Sequence, residues 1–269
     1  MKLVRAVELA QTVSLSRRLL KRGRRTAPSS SRVAYGEALF EKATRHAHSM
    51  CLLIRHLRRT PSPDVAGISL LARAVIEARN AFAYLIERGI TDDEFNLRLW
   101  LLLLNHSIDA GQIYARLQQR DSRSMNEVAV RVSRATLRGN PVFGGFNEKQ
   151  REQLLKGRTP YLRGRYKGRS PVERSVESAL YNLFSHSTHS FSLSLPGVSG
   201  GGDRALTGPR STFFLAVEIS IMYLCDMAKG YKALRARATG ELTGEELMLI
   251  EEAASGRHLN EWVAYLQNG

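Results

Sequence analysis

From Val33 onward, apolar residues recur at spacings of three and four, and alternating runs of β-branched residues are scarce. That spacing lays one apolar stripe along a helix, whereas a half-buried strand needs a period of two. The chain is therefore predicted to be all-α, a helical bundle of about eight to ten helices. The first is expected over 2–22 and the second over 34–58, stopped by Pro61 and Pro63. Ser62, Pro63 and Asp64 then offer the start of a third helix, which Arg88 and Gly89 end. Thr91-Asp92-Asp93-Glu94 starts a fourth, over 93–118. Further helices are expected over 125–137, 147–155, 172–192, 211–238, 243–254 and 259–267. Turn-forming residues over 138–145 and 196–203 predict two loops. The second reads as a surface connection or a lid, and it is no phosphate-cradling loop, because no Gly-Lys-Ser/Thr follows and no strand precedes it.

The 269 residues carry a formal charge of +15, unevenly placed. Positions 1–60 hold 14 Lys/Arg against 3 Asp/Glu, positions 120–174 hold 14 against 5, and positions 239–269 hold one Arg against six Glu. The expected organisation is a detachable basic N-terminal helix or arm over 1–31, a helical core over 32–238 and an acidic helical pair over 239–269. Local positive charge attracts a polyanion, so nucleic acid is the expected partner. Arg17, Arg18, Lys21, Arg22, Arg24 and Arg25 are the expected phosphate contacts of the arm. The other reading of the arm is a solvated helix whose Leu15, Leu19 and Leu20 pack on the body or on a second subunit. The apolar run Leu99 to Leu104 stops at Asn105 and His106, so no membrane span is expected. The basic start lacks an apolar signal core, and Cys51 and Cys225 lack metal-ligand spacing. A reducing cytoplasm, no metal and no cofactor are the corresponding expectations.

The stretch Tyr181-Asn182-Leu183-Phe184-Ser185-His186-Ser187-Thr188-His189 carries the strongest functional signal. At about 100° per residue, Tyr181, Asn182, Ser185, His186 and His189 share one arc of a helix, opposite Leu180, Leu183, Phe184 and Phe191. A solvated face would be filled with Lys, Arg, Asp or Glu, and this one has none. A second seam runs along the third helix, where Arg73, Glu77, Asn80 and Tyr84 line up on an otherwise apolar surface. The two seams are expected to face each other. Glu77 would then orient an imidazole, His189 would move a proton near neutral pH, and Arg73 would hold a phosphate or carboxylate. The alternative is a buried ion pair with hydrogen-bonded Tyr, Asn, Ser and His that fix helix register. A serine hydrolase built on Ser185 is disfavoured, since no Gly-x-Ser-x-Gly elbow is present.

Arg73-x-x-x-Glu77 on an apolar helix, followed by Tyr181-x-x-x-Ser185-x-x-x-His189, resembles an uncharacterised all-helical bacterial family of unknown function, over roughly 34–238. That resemblance implies a fold and a polar centre. More distantly the chain resembles the HEPN superfamily, helical bundles that include metal-independent ribonucleases of toxin and antiviral systems. Their signature is Arg, a polar residue that is often Asn, three variable residues, then His. Asn182 and His186 have that spacing, while Tyr181 stands where the Arg belongs, leaving Arg73 to supply the cation from another helix. What this resemblance implies is cleavage of RNA by its own 2′-hydroxyl, with His186 or His189 in proton transfer.

Directly before the polar helix, within the second basic region, lies Lys156-Gly157-Arg158-Thr159-Pro160-Tyr161-Leu162-Arg163-Gly164-Arg165-Tyr166-Lys167-Gly168-Arg169. Its cations would track a phosphate backbone while Tyr161 and Tyr166 stack on unpaired bases, which favours RNA over DNA. In the alternative reading the tyrosines anchor a solvated loop. The expected function is an RNA- or nucleotide-binding protein of bacterial stress or phage-defence type, with ribonuclease activity as its enzymatic form. Two rivals are a non-enzymatic helical interaction module, as homo-oligomer or with a protein partner, and a small-molecule hydrolase.

Overall fold

The structure, a computed structural model, describes the backbone of residues 2–56, 64–162, 170–188 and 209–268, and within these the side chains of residues 4–264. The protein is all-α. Its helices are α1 (Lys2–Gly23), α2 (Ser31–His56), α3 (Val65–Leu85), α4 (Asp92–Arg116), α5 (Arg120–Gly139), α6 (Pro141–Gly144), α7 (Glu148–Leu155), α8 (Arg174–Thr188), α9 (Pro209–Leu234), α10 (Ala236–Thr239), α11 (Gly244–Ala254) and α12 (Arg257–Asn268). Helix starts follow local chemistry. Thr91 accepts from the Glu94 amide at 3.1 Å, and Asn147 with Gln150 and Thr243 with Glu246 form capping boxes. Each such cap satisfies donors that the first turn leaves open, worth about 1 kcal/mol. The expected loop over 138–145 contains a helical turn instead. Asn140 accepts from the Val142 and Phe143 amides, and Pro141 occupies the first position of α6, where its missing N–H costs nothing. The loop over 196–203 lies outside the described residues.

The chain divides into two compact units, one of Met1–Ala83 with Arg169–Gly269, the other of Tyr84–Gly168. Residues from the first and last thirds of the chain thus share a unit. Helix α9 is the centre of the first unit. Every residue from Ser211 to Cys225 is buried, and α1, α2, α8, α11 and α12 pack against it. Helix α9 is long and apolar enough to cross a membrane, a stretch that sequence reading passed over, but 94% of its most apolar part is covered by protein. Its buried Glu218 is met by Arg5 of α1. Leu9, Val13, Leu15 and Leu19 are buried too, so α1 is part of this core and not a free arm. Arg235 fastens its end by donating to the carbonyls of Gly23, Thr26 and Ala27. Cys225 lies at the interface of α9 with α1 and α11, its sulfur 3.9 Å from both Thr12 Oγ1 and the Leu249 carbonyl. Burial pushes this thiol up to about 12.

In the second unit α4 and α5 form the main helix pair. Asn126 donates to the Ser107 carbonyl at 2.6 Å, and a Cβ on Gly111 would lie 2.7 Å from the same Asn126 amide, which would have to shift to admit it. Gln118 has φ 56°, and this left-handed residue reverses the chain between α4 and α5. Arg98, only 1% exposed, donates to Glu87, Glu94 and the Tyr84 carbonyl, each at 2.6 Å, with the Tyr84 ring 4.8 Å from its guanidinium carbon. A buried cation is tolerated only with such partners. Replacing Arg98 by Ala strands two carboxylates, and is expected to destabilise the second unit by about 3–5 kcal/mol. Urea unfolding combined with hydrogen exchange of α4 measures this, and a loss near zero would contradict the account.

Candidate functional site

Helices α3 and α8 meet along a ladder of side chains. Arg73 Nη1 lies 3.3 Å from Ser185 Oγ, Tyr181 donates to Glu77 Oε1 at 2.8 Å, and Asn80 donates to Glu177 Oε1 at 2.8 Å. As numbers rise along α3 their partners fall along α8, so the helices run antiparallel and each turn adds one rung. Arg73 also donates to Glu77 at 3.1 Å, and its guanidinium carbon sits 4.7 Å from the centroid of the Tyr181 ring. The two seams therefore face each other. The third helix is not enclosed, however. Side chains of Arg73 and Glu77 are 30% and 52% exposed and Leu70 is 55% exposed, so the rung of charges opens to solvent. Burial alone would lower the Arg73 pKa, but Glu77 and Tyr181 hold it above its ordinary value. Burial and the adjacent Glu77 carboxylate raise that of Tyr181.

Behind this ladder lies a network that sequence reading missed. Glu177 Oε2 accepts from Ser170 at 2.9 Å and from the buried Tyr223 hydroxyl. Burial and Glu177 push the Tyr223 pKa far upward. Arg79, 3% exposed, reaches Asp226 at 2.9 and 2.8 Å and lies 5.1 Å from the Tyr223 ring centroid. Asp226 near the end of an apolar helix was the available signal, since a carboxylate in a core helix needs a cation. The network is satisfied at each named group, and its effect is to fix α8 against α3 and α9.

The remaining predicted residues separate. Asn182 and His186 are exposed on α8, and His189 lies outside the described residues. Glu77, expected to orient an imidazole on α8, accepts from Tyr181. Tyr84 leaves the seam for the second unit, where its hydroxyl accepts from the Leu162 amide at 3.2 Å. A histidine from α2 joins the α3 side. His46 has a buried Nε2 with no hydrogen-bond partner among the described residues. Burial and Lys42 lower its pKa while the Glu77 carboxylate raises it.

The basic residues in the last turns of α1 and just beyond it sort into two sets. Arg18 and Arg22 turn toward Glu246, at 2.9 and 3.9 Å, and so help hold α11 to α1. Arg17, Lys21, Arg24 and Arg25 line a cleft of about 600 Å³, with Glu41, Thr44 and Arg45 of α2 on its other side. Glu41 bridges the cleft, binding Arg24 at 2.5 Å and Arg45 at 2.7 Å. Its pKa is lowered chiefly by Arg24. No ion pair is recorded among the described residues for Arg17, Lys21 or Arg25, so the cleft keeps a cationic excess. Arg45 is the cleft residue that sequence reading missed, because it lies on the next helix.

In the second unit Arg158 is exposed and Tyr161 is 38% exposed, packed edge-on at 5.0 Å against Tyr84. Tyr161 is thus an anchor in part. Arg163, Arg165, Tyr166, Lys167 and Arg169 lie outside the described residues. No three His, Cys, Asp or Glu side chains among the described residues converge as a metal site. Neither the family models, nor the curated proteins, nor the solved structures contain a match for this chain.

The His46 geometry makes a pH prediction. A pKa held below the ordinary 6.5 means that the unfolded chain takes up the proton more readily than the folded one. The stability contribution is complete above 6.5 and is lost as pH falls toward the folded value. Urea midpoints followed from neutral pH downward are expected to fall less steeply in His46→Gln than in the parent. Identical slopes would show that His46 titrates freely.

Proposed function

We propose that the protein binds RNA, with the phosphate backbone seated in the cleft between α1 and α2. The observation that carries this reading is the division of labour on α1. Arg18 and Arg22 are taken up by Glu246, and Arg24 and Arg45 by Glu37 and Glu41, whereas Arg17, Lys21 and Arg25 line the same concavity with no ion pair among the described residues. A solubility device needs no such sorting. Cations lining a cleft concentrate their field and bind by releasing counterions from phosphate. The bacterial stress or phage-defence setting follows from the HEPN-like resemblance.

A second reading, metal-independent RNA cleavage, is favoured by one observation. Arg73 lies against Tyr181 and Ser185, so α3 brings a guanidinium to the α8 helix that lacks the signature Arg. In this chemistry a base removes the 2′-hydroxyl proton, the oxygen attacks the adjacent phosphorus, and the 5′-oxygen leaves with a proton. A 2′,3′-cyclic phosphate and a 5′-hydroxyl result. His186 would move a proton and Arg73 would face the developing charge on phosphate.

Fluorescence anisotropy with labelled single-stranded RNA tests the binding reading. Phosphate contacts by the three unpaired cations, Arg17, Lys21 and Arg25, predict a slope of log affinity against log salt of about −2. Arg17→Glu with Lys21→Glu is expected to weaken binding more than about tenfold and to flatten that slope, while Arg22→Gln stays within about twofold. Equal affinity of the two variants, or no binding at low salt, would overturn the proposal. Incubation with total RNA in EDTA tests cleavage, which His186→Ala is expected to abolish. RNA that is bound and left intact would confine the protein to binding.

A further inference from the structure

Helix α5 carries its apolar stripe on the wrong side for a helix of an isolated monomer. Its buried residues are Ser133 and Leu137, whereas Met125, Val128 and Val132 are 76%, 47% and 48% exposed. These three stand at i, i+3 and i+7, one continuous line of about three turns. On one flank lie Arg120, Arg131 and Arg138, all exposed. An outward apolar line with a cationic flank marks a surface that meets a partner.

The same chain offers the complementary surface. Between α1 and α11 runs a cleft of about 450 Å³, with Val4, Val7 and Leu249 as its apolar lining and Glu8, Glu252 and His258 at its polar positions. Val4 and Val7 are 65% and 52% exposed. Beside it α11 exposes Met248, at 69%, together with Glu245. Glu8 is partly neutralised by Arg5, so Glu252 in the lining, with Glu245 on the same face of α11, supplies most of the negative charge. One surface is apolar and basic, the other apolar, concave and acidic.

We infer that the chain self-associates head to tail, α5 of one copy lying in the α1 and α11 cleft of the next. The contact joins two different patches, each helix face entering a groove, and this is the heterologous type. Like charges on α5 oppose its pairing with the α5 of another copy, which favours the acidic cleft as the occupant.

Sedimentation velocity of the full chain is the test. The wild type is expected to assemble with rising concentration up to about 100 μM, a range that detects a weak interface. Met125→Asp with Val132→Asp removes the helix face, and Val4→Asp with Val7→Asp removes the cleft; each protein alone is expected to sediment as a monomer. Mixed, they retain one intact face each, so a one-to-one dimer that grows no further is expected. That dimer also shows that both variants are folded. A monomeric wild type, variants that assemble as the parent does, or a mixture that stays monomeric would overturn the proposal. So would a monomeric chain that binds phosphatidylserine vesicles through α5.

Discussion

Helix α9 is apolar and buried from Ser211 to Cys225, and covering that stretch is the demand it places on the first unit. The covering is drawn from both ends of the chain. Helices α1 and α2 come from the start, and α8, α11 and α12 from the second half. Because α1 is recruited in this way, its lysines and arginines are held at fixed angles to α2. Arg235 on the carbonyls at the end of α1, and Tyr231 on Glu37 at 2.7 Å, keep that register. The backbone walls of the cationic cleft are therefore set by the packing of the first unit.

Polar side chains serve two different ends in the first unit. Arg79 with Asp226, and Glu177 with Tyr223, Ser170 and Asn80, form an inner network whose groups answer one another. Arg73, Glu77, Tyr181 and Ser185 form an outer one that water reaches. Exposed pairs contribute little to stability, about 0–1 kcal/mol each, whereas breaking a buried pair costs several times that. The inner network thus sets where α8 lies, and the outer one contributes little to that placement.

The helical class was legible because spacings of three and four persist through most of the sequence, and Thr91, Asn147 and Thr243 carry their caps in plain view. The meeting of the α3 and α8 seams was legible as well, since Arg73 with Glu77 and Tyr181 with Ser185 each stand one turn apart. What sequence could not show was which side of α1 would be covered. A basic amphipathic helix has the same pattern whether its apolar side meets the core of its own chain or another surface. His46 and Arg45 escaped notice because their relevance comes from neighbours on α1 and α3, not from their own helix. The loop prediction over 138–145 failed at Pro141, which was read as a break although proline also begins helices.

The position of Cys225 has a practical meaning. Its sulfur is sealed by Thr12 of α1 and Leu249 of α11, and its raised pKa leaves almost no thiolate at neutral pH. An alkylating reagent meets this sulfur only in molecules whose central helix has momentarily shed a neighbour. The rate of its capture is therefore an internal clock for breathing of the first unit, and a ligand that clamps α1 onto α9 would slow it.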